Sequence, residues 1–502
     1  MKNIHKKLLL PLGITLLSVT ACNSENSFTS GGGGNNGSTN NNTALHRIIS
    51  NNSLTGNPMT GKTIPDISSS EAQLGMRLFF SKSLGGDQDS ACVTCHHPTL
   101  GGGDNLSLPV GVGASSPDLL GLGRFHNPNS PHHDGGPPVP RNAPTTFNIA
   151  GWDNVLFHDG RVESVSAGIR TPDSGFGSED TIAGKNLAQA QARFPVTSPE
   201  EMKGFNNDDK DNQGIRDFLA SRLGGYGEGD GDLSDTDYWL DKFRSVLNKP
   251  EGTAEDLITE QNISFFIGEY ERSQSFVDTP WKKYVEGNNN ALNEKAKKGA
   301  LLFFNSVADG GANCSSCHSG DFFTDEKFHN LAMPQIGRGK GNGADKTDDF
   351  GRFRETKVAS DMYKFRTPSL INVEVTGPWS HAGAYTSLDA VVRHNLNPAS
   401  ALNSYDNSQL SQTDIQNLDK VQTNTQKALA VLEADRQAGK DVIQNVDLTD
   451  NQVGQLVEFL KALTDPCVKD KSCLAKWVPD PETDADPNGD QLNAVDSDGN
   501  LL

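Results

Sequence analysis

The spacing of apolar residues along the chain predicts a mainly helical protein. Residues 72–80 and residues 296–304 both place apolar side chains at helical spacing, and both segments lead through a loop into a cysteine-containing motif. The same spacing predicts a long helix over residues 253–273 and a terminal helix over residues 453–463. Because the first two segments resemble each other, we predict two related helical domains with long Gly/Pro-rich loops.

Composition excludes two broad classes of protein. No internal run of about 20 apolar residues occurs, and the mean hydropathy is −0.54, which excludes a polytopic membrane protein. The 64 acidic residues outnumber the 44 basic ones and give a formal net charge of −20. Nucleic-acid binding needs a basic surface, so we expect no nucleic-acid partner.

The first residues are patterned as an export signal. A basic start precedes a short apolar run, residues 8–17, which is too short for a transmembrane helix. The run ends in Val19-Thr20-Ala21-Cys22, which is typical of a bacterial lipobox with Cys22 as the lipidated residue; an ordinary signal peptide with a chance cysteine is the alternative. We predict a signal peptide over residues 1–21. Because Asn23 rather than Asp follows the cysteine, we expect a lipid-anchored protein at the periplasmic face of the outer membrane.

The remaining boundaries follow from the repeat and from composition. Residues 22–64 are predicted to be the lipidated cysteine and a flexible linker rich in Asn, Gly and Ser, since residues 23–43 cannot bury enough apolar surface to offset the entropy of ordering. Residues 65–285 and 286–475 are predicted to be the two domains. Residues 476–502 are predicted to be an acidic disordered tail. Its segment 484–490 resembles the start of an EF-hand loop, but position 12 of such a loop is Val495, which favours disorder over a calcium site.

Both repeat units carry the motif Cys-x-x-Cys-His. In c-type haem attachment the two cysteines form thioethers with the haem vinyl groups, and the adjacent histidine reaches the iron. A thioredoxin-type redox pair or half of a zinc site also uses Cys-x-x-Cys, but neither needs a histidine directly after the second cysteine. The sequence predicts two covalent haems c, one held by Cys92, Cys95 and His96 and the other by Cys314, Cys317 and His318.

Cys467 and Cys473 are the remaining cysteines. Two cysteines so close together in an exported chain predict a small disulfide that closes a loop, with two free thiols as the alternative.

Five further stretches carry a family resemblance. They are Pro140-Arg141-Asn142-Ala143-Pro144-Thr145, Phe157-His158-Asp159-Gly160-Arg161, Pro199-Glu200-Glu201-Met202, Phe365-Arg366-Thr367-Pro368-Ser369-Leu370 and Thr376-Gly377-Pro378-Trp379-Ser380-His381. Together with the haem pair, they make residues 65–475 resemble the bacterial di-haem cytochrome c peroxidase and MauG superfamily. The resemblance implies two cytochrome c-like domains, with a peroxide-reactive haem in the N-terminal one and an electron-transfer haem in the C-terminal one.

The resemblance also implies catalytic residues. Gln191 and Glu201 match the family's distal glutamine and glutamate, which handle the protons of the peroxide. A general acid–base at that place contributes about 10²–10⁴-fold to the reaction. Taken alone, Glu201 would be interpreted as a solvated surface carboxylate.

Two positions depart from the family pattern. Val112 replaces the histidine that caps the N-terminal haem in peroxidases requiring reductive activation, so we expect that haem to be open, as in MauG-type proteins. Three histidines in a nearby Pro-rich loop, His126, His132 and His133, are the residues that could reach back to it, although loop histidines are usually solvated.

The second departure concerns the route between the haems. His158 replaces the family's inter-haem tryptophan, which leaves the electron route undefined. Trp152 and Trp379 lie close to family motifs, but the sequence places neither of them between the haems.

The resemblance implies further ligands at two metal sites. The far ligand of the second haem falls on Asn395, a poor iron ligand, so we expect His394 to take its place; a surface histidine on a helix over residues 388–395 is the alternative. A His/His pair would lower the potential relative to His/Met. The family's calcium ion between the domains would be held at Asn142, Thr376 and Pro378, through a side-chain amide and backbone carbonyls.

These observations predict an oxidoreductase that reduces hydrogen peroxide at the N-terminal haem with electrons passed through the C-terminal haem. The electron donor would be a small cytochrome c or cupredoxin with a basic docking face. One alternative is a MauG-like enzyme that uses peroxide-generated high-valent haems to oxidise side chains of a partner protein. Another is a pure di-haem electron-transfer cytochrome, against which Gln191 and Glu201 argue. We expect membrane contact through the lipid anchor only, and a homodimer stays open because the family is often dimeric.

Overall fold

The computed structural model describes residues 36–130, 132–440, 442–483 and 485–502. The predicted signal peptide, Cys22 and the first part of the predicted linker lie outside these residues. None of the helices in the described part of the chain is long and apolar enough to cross a bilayer.

Helices dominate the described residues, which confirms the prediction of a mainly helical protein. In chain order they are α1 (Asn36–Asn51), α2 (Ser70–Phe79), α3 (Leu187–Ala192), α4 (Asn212–Gly224), α5 (Asp237–Leu247), α6 (Ala254–Leu257), α7 (Glu260–Ser273), α8 (Pro280–Val285), α9 (Glu294–Phe304), α10 (Phe353–Thr356), α11 (Leu388–Leu396), α12 (Pro398–Asn403), α13 (Val421–Gln437), α14 (Asp450–Lys461) and α15 (Lys471–Leu474).

Strands are few and short. A three-stranded antiparallel sheet is formed by β1 (Val155–Leu156), β2 (Val162–Val165) and β3 (Gly168–Arg170), and a separate antiparallel pair by β4 (Phe328–His329) and β5 (Phe365–Arg366). In the first sheet Leu156 is the partner of Val162, and in the second Phe328 is the partner of Arg366. Both sheets position loops that carry family motifs.

The internal repeat is a repeat of one close helix pair. Gly75 on α2 faces α7 so closely that a Cβ atom there would lie 1.9 Å from the Phe266 carbonyl oxygen. Gly299 on α9 faces α14 in the same way, with a Cβ position 1.9 Å from the Gln455 carbonyl oxygen. The two glycines occupy corresponding places in the two similar segments. Each pair lies in its own apolar core, one around Phe79 and the other around Phe303.

One predicted helix is divided in two. Residues 253–273 form α6 and α7 because Thr253 and Thr259 each cap a new helix, with side chains that accept hydrogen bonds from the Asp256 and Asn262 amides. The predicted terminal helix instead begins earlier, at a capping box formed by Thr449 and Gln452.

The predicted flexible linker is wrong for α1. Leu45 is fully buried and Leu54 nearly so, and both belong to the core around Phe303. Ile48 and Ile49 pack against the same core. These apolar residues recur at helical spacing, so they supply a buried face that the polar composition of the preceding residues obscured.

The predicted disordered tail is also wrong for the described residues. A disulfide joins Cys467 to Cys473, and the chain then crosses back to the N-terminal half. There Tyr270 donates a hydrogen bond to the Trp477 carbonyl at 2.7 Å, and the Leu492 amide donates to the Phe80 carbonyl at 2.8 Å. Trp477 and Leu492 are buried, so scattered apolar residues anchor this acidic segment.

Candidate functional site

A cavity in the N-terminal half brings together residues from separate sequence motifs. It encloses about 1150 Å³ of space, part of it open to solvent. The residues singled out from the sequence that line it include Cys92, Cys95, His96, Gln191 and Glu201. The second half of the chain contributes Lys340 and Arg366 to the same lining, so both halves build this site.

The two Cys-x-x-Cys-His motifs share one local geometry. Each begins with a short 3₁₀ turn, Cys92–Thr94 and Cys314–Ser316. His96 Nδ1 donates to the Gly102 carbonyl at 3.1 Å, and His318 Nδ1 donates to the Phe323 carbonyl at 3.0 Å. Burial lowers the pKa of both histidines. A neutral ring whose Nδ1 proton is engaged by a carbonyl leaves Nε2 as the atom for iron, the arrangement usual for metal-ligating histidines.

Gln191 lies at the end of α3. Its Oε1 atom is buried and has no hydrogen-bond partner. Arg193, whose side chain is fully buried, fixes this end of the helix through ion pairs with Asp180 at 2.7 Å and with Glu260. The amide of Gln191 is therefore held on the cavity wall with an unused acceptor.

Glu201 lies on a π-helical turn, Pro199–Lys203. Its side chain is 24% exposed, and Arg161 Nη2 lies 3.9 Å from its Oε1 atom. Burial raises the pKa of Glu201, while Arg161 and Lys340 oppose that rise. Such a carboxyl, positioned on a cavity and tuned by nearby cations, is suited to accept and return a proton.

The loop that carries Val112 packs behind the turn that carries Glu201. A Cβ atom at Gly111 would lie 2.4 Å from the carbonyl oxygens of both Glu200 and Glu201, so the loop backbone abuts the turn directly. Val112 is 4% exposed, and its amide donates to the Glu200 carbonyl at 3.2 Å. Val112 is not among the residues that line the cavity.

The neighbouring loop histidines also lie apart from the cavity lining. His126 is buried, with its Nδ1 atom 3.2 Å from His133 Nδ1. His132 stacks on Phe205 at 3.7 Å between ring centroids. In the described structure, none of the three reaches towards His96 to cap the first site.

His158 and Trp152 line the same cavity but have different surroundings. His158 Nε2 donates to the Asn142 carbonyl at 3.0 Å, and burial lowers the pKa of His158 to about 3, so the ring is neutral. Trp152 packs edge-to-face on Phe322 at 5.2 Å, and the Arg366 guanidinium lies 3.5 Å from the Trp152 ring centroid. Phe322 follows the second haem motif by a few residues, so Trp152 links the cavity to that motif.

Trp379 lies elsewhere. Its indole Nε1 donates to the Val373 carbonyl at 3.0 Å, and its ring lines a different groove, which encloses about 1450 Å³ including space open to solvent, together with Pro378.

The second motif lies near a further group of metal-ligating types. Within the described residues, Cys317, Asp325 and His329 place their ligand atoms within 4.8 Å of one another. His329 Nε2 donates to Asp325 Oδ2 at 2.8 Å, and hydrogen bonds to Asp325 and Cys317 raise the pKa of His329 to about 9. Since Cys317 belongs to the haem motif, this group is part of the surroundings of the second site.

His394 has other partners than a metal. It is fully buried, which rules out the surface-histidine alternative. Its Nδ1 atom lies 2.7 Å from the Tyr385 hydroxyl, and its Nε2 atom donates to the Leu331 carbonyl at 2.8 Å. Both ring nitrogens are engaged by protein groups, which argues against the predicted role of His394 as a haem ligand.

The structure gives the surroundings of only some of the predicted calcium ligands. Asn142 Nδ2 donates to the carbonyls of Leu106 at 3.0 Å and Ser107 at 3.3 Å, which orients Oδ1 away as a potential oxygen ligand. Thr376 lies beside the loop at Gly101. The calcium site stays a prediction.

A buried ion network ties the two halves together beside the cavity. Arg141 binds Asp349 through two contacts, of 2.6 and 2.8 Å, and binds Asp159 at 2.6 Å. All three side chains are nearly fully buried. The Arg141 guanidinium holds the pKa of Asp159 and of Asp349 well below their usual range.

The polar atoms of the cavity that lack hydrogen-bond partners are suited to binding a haem. Gln191 Oε1, Glu271 Oε2 and Arg366 Nη1 are all buried without a hydrogen-bond partner, and all three residues line the cavity. A buried guanidinium lacking an anion suits the carboxylate of a haem, and the apolar part of the lining suits its macrocycle. Sequence reasoning missed Glu271 and Lys340 because no local motif marks them.

Comparison with known proteins gives consistent matches. A family model described as di-haem cytochrome c peroxidase matches residues 69–290. The chain is 26% identical to methylamine utilization protein MauG of Methylorubrum extorquens over 343 residues, covering 68% of this chain and 70% of that protein. It is 26% identical to cytochrome c551 peroxidase of Pseudomonas aeruginosa over 386 residues, covering 76% of this chain and 84% of that protein.

A solved structure shares the fold. It is described as a MauG-like protein associated with microbial copper homeostasis, with a TM-score of 0.53, 20% identity, and coverage of 82% of this chain and 96% of that chain. The curated relatives are named both as peroxidases and as MauG proteins. Together with the cavity around His96, these matches make the chain similar to the di-haem cytochrome c peroxidase and MauG superfamily, and the protein is an oxidoreductase.

Proposed function

We propose that the protein reduces hydrogen peroxide in the cavity around His96, with electrons that enter through the second haem site. The observation that carries this proposal is the meeting of Gln191 and Glu201 with Cys92, Cys95 and His96 on one cavity. A haem c bound there would be held by Cys92, Cys95 and His96, and its iron would supply the redox chemistry that peroxide reduction needs. The overall reaction consumes one hydrogen peroxide, two electrons and two protons, and yields two water molecules.

The protein groups move the protons. Glu201 accepts a proton from the oxygen that is bound inside the cavity and returns it to the outer oxygen, which leaves as water. Gln191 presents a fixed amide that orients the peroxide by hydrogen bonding, because Arg193 holds its helix in place. Both residues act at the same wall of the cavity.

Trp152 offers the electrons a route. It lines the first cavity and packs on Phe322, which lies four residues after His318 in the chain. His158 cannot provide an aromatic bridge of this size, and its Nε2 proton is engaged by a backbone carbonyl. Electrons arriving at the second motif therefore pass through Phe322 and Trp152.

A MauG-like reaction, the oxidation of side chains of a partner protein, is the second candidate. It is favoured by Val112, which lies behind the catalytic turn and presents no iron ligand to the cavity. With no iron ligand supplied by this loop, the site would admit peroxide without prior reduction of the protein, whichever product follows.

Further features of the proposal rest on the sequence. They are a lipid anchor at Cys22, a location at the periplasmic face of the outer membrane, and a calcium ion at Asn142, Thr376 and Pro378. The partner would be a small basic cytochrome c or cupredoxin, since the chain carries a net charge of −20.

Peroxide titration of the purified di-haem protein tests the function. We expect turnover with a reduced small cytochrome, and a high-spin resting signal in electron paramagnetic resonance. Glu201→Gln should slow the peroxide step about 10²–10⁴-fold with haem content unchanged. Unchanged turnover in this variant would remove Glu201 from the mechanism, and a purely low-spin protein that ignores peroxide would leave only electron transfer.

A further inference from the structure

We propose that Lys340 is a positioning residue of the peroxide site. It comes from the second half of the chain and lines the first cavity, where its ammonium group keeps Glu201 in the ionised form that can accept a proton. This inference rests on the proposed function. It also makes the peroxide site dependent on a loop from the other half of the molecule.

The loop that presents Lys340 is held in one conformation. It alternates glycines with other residues, and Gly337, Gly339, Gly341 and Gly343 all have φ between +61° and +77°. Only glycine adopts such angles without strain, so the loop can turn sharply around the lysine. A Cβ atom at Gly339 would lie 2.2 Å from the Thr347 carbonyl oxygen, which shows how closely the loop is packed.

Hydrogen bonds anchor the lysine itself. The Lys340 amide donates to the Asp348 carbonyl at 3.0 Å, and Arg354 Nη1 donates to the Lys340 carbonyl at 2.7 Å. Next to it, Arg338 Nη1 donates to the Pro138 carbonyl at 2.9 Å and so fastens the loop to the N-terminal half. The backbone of Lys340 is fixed, and its side chain lines the cavity.

The ammonium group of Lys340 lacks a close anionic partner. Within the described residues, no carboxylate oxygen lies within 4.0 Å of its Nζ atom. Burial, together with Arg161 and Arg141, lowers the pKa of Lys340 to about 8. Glu201 and Asp159 oppose this lowering. Lys340 is thus a charged group at neutral pH, and its interactions with Glu201 and Asp159 are the favourable ones.

The charges around Glu201 explain why a second cation matters. Its own turn contributes Glu200, and the loop before β2 contributes Asp159 and Arg161, while Cys95 lies on the haem-motif side. Arg161 is divided between two carboxylates, at 3.6 Å from Asp159 and 3.9 Å from Glu201. Burial, Glu200 and Asp159 all favour the protonated form of Glu201, and Arg161 is shared with Asp159. Lys340 therefore supplies the second positive charge that favours the ionised form of Glu201.

The test compares Lys340→Met and Lys340→Arg in the di-haem protein. Two quantities are measured against pH: the rate of the peroxide reaction, and the infrared carbonyl band of protonated Glu201, identified by its loss in Glu201→Gln. We expect Lys340→Met to move both the acid limb of the rate and the infrared titration about one unit to higher pH, which lowers the rate about tenfold on that limb. Lys340→Arg should restore both.

Lys346→Met is the matched control. Lys346 is exposed on the same segment and is not part of the cavity lining, so the same loss of charge should leave both titrations in place. The proposal is overturned if Lys340→Met leaves the Glu201 band at its original pH. It is also overturned if that variant changes only the potential or content of the first haem, because Lys340 would then serve a haem carboxylate. If the unaltered di-haem protein ignores peroxide, the proposed function fails, and if Glu201→Gln leaves the peroxide reaction unchanged, Glu201 is removed from the mechanism. In both cases the infrared titration still decides whether Lys340 acts on the Glu201 carboxyl.

Discussion

The two haem motifs share a backbone geometry but differ in what surrounds them. In the first motif the two residues between the cysteines, Val93 and Thr94, are 0% and 1% exposed. In the second motif Ser315 is half-buried and Ser316 is exposed. A buried motif suits a site that must exclude water around a reacting peroxide, and an exposed one suits a site that must receive electrons from another protein. The repeat therefore accounts for the shared Cys-x-x-Cys-His geometry, and the different surroundings agree with the different roles proposed for the two sites.

The same asymmetry appears in the helix that closes each site. Gly75 faces Phe266 and Tyr270, and Gly299 faces Gln455 and Phe459. Tyr270 and Phe459 therefore occupy corresponding positions in the two halves, and so do the residues that follow them. That residue is Glu271 in the first half and Leu460 in the second. The first site thus carries a buried carboxyl where the second carries an apolar side chain.

The largest expected effect comes from breaking the joint between the halves. Arg141→Gln leaves Asp159 and Asp349 buried without their cation, which should lower the free energy of unfolding by about 3–5 kcal/mol. Because the pKa values of both carboxyls are lowered in the folded state, the network contributes stability above the ordinary aspartate pKa, and that stability is lost as the pH falls below about 4.

Chemical denaturation at pH 7 and pH 3 measures both effects. Arg393→Gln is the control, since the ion pairs of Arg393 with Asp389 and Asp450 are exposed and should contribute at most about 1 kcal/mol. An Arg141→Gln protein as stable as the Arg393→Gln protein at pH 7 would show that the halves are joined by other contacts.

Replacing the buried carboxyl makes the first half resemble the second. Burial raises the pKa of Glu271 to about 8, so its folded form favours the proton. Stability should therefore fall as the pH rises from about 4.5 to 8, where the unfolded chain ionises and the folded chain resists ionisation. We expect Glu271→Leu to remove this dependence and to gain about 1–3 kcal/mol at pH 8 relative to pH 5.

Unfolding free energies of both proteins at pH 5 and pH 8 provide the measurement. Leu460→Glu should introduce the same pH dependence in the second half. If wild type and Glu271→Leu depend on pH identically, the carboxyl is satisfied by a group that binds in the cavity.

The paired glycines test whether the two helix crossings are equivalent. Gly75→Ala and Gly299→Ala each place a Cβ atom 1.9 Å from a backbone oxygen, which forces the helices apart. Each variant should be destabilised by about 1–3 kcal/mol, despite the better helix propensity of alanine. Thermal unfolding of both variants gives the comparison. Gly454→Ala on α14 is the control, because a Cβ atom there would meet only the end of the Lys295 side chain, at 3.9 Å. A large difference in stability between the two variants would show that one helix pair accommodates the added methyl group more easily than the other.

The smallest expected effect concerns the link between the sites. Trp152→Leu should slow electron passage from the second haem to the first roughly tenfold, about 1.4 kcal/mol of activation free energy, with peroxide binding unchanged. Rapid-mixing spectroscopy of the half-reduced protein measures this rate. Trp379→Leu, in a separate groove, is the matched control, and equal rates in all three proteins would place the route elsewhere.

Local motifs predicted residues that lie far apart in the chain, and the structure brings them together. Cys92, Cys95 and His96 could be named from their own motif, and Gln191 and Glu201 from a family resemblance; all five line one cavity, while their roles stay predictions. Lys340 and Glu271 could not be named, since their roles depend on segments far away in the chain. His394 was chosen by counting along the chain, whereas its burial between Tyr385 and Leu331 is decided by tertiary packing.

The fold was predicted to the same degree. The repeated helices were visible as apolar spacing, but α1 and the tail were not, because their few apolar residues are dispersed among polar ones. Leu45 and Trp477 find partners only when the rest of the chain has folded. Composition predicts whether a segment folds on its own, whereas both of these segments are ordered by contacts with the rest of the protein.

The shared wall of the first cavity has a consequence for biosynthesis. Arg366 and Lys340 lie late in the chain, more than 200 residues after Cys92, so they emerge long after the first motif during synthesis. Until they arrive, the cavity around Cys92 and Cys95 lacks this part of its wall. The cavity is therefore completed only after most of the second half of the chain has been made.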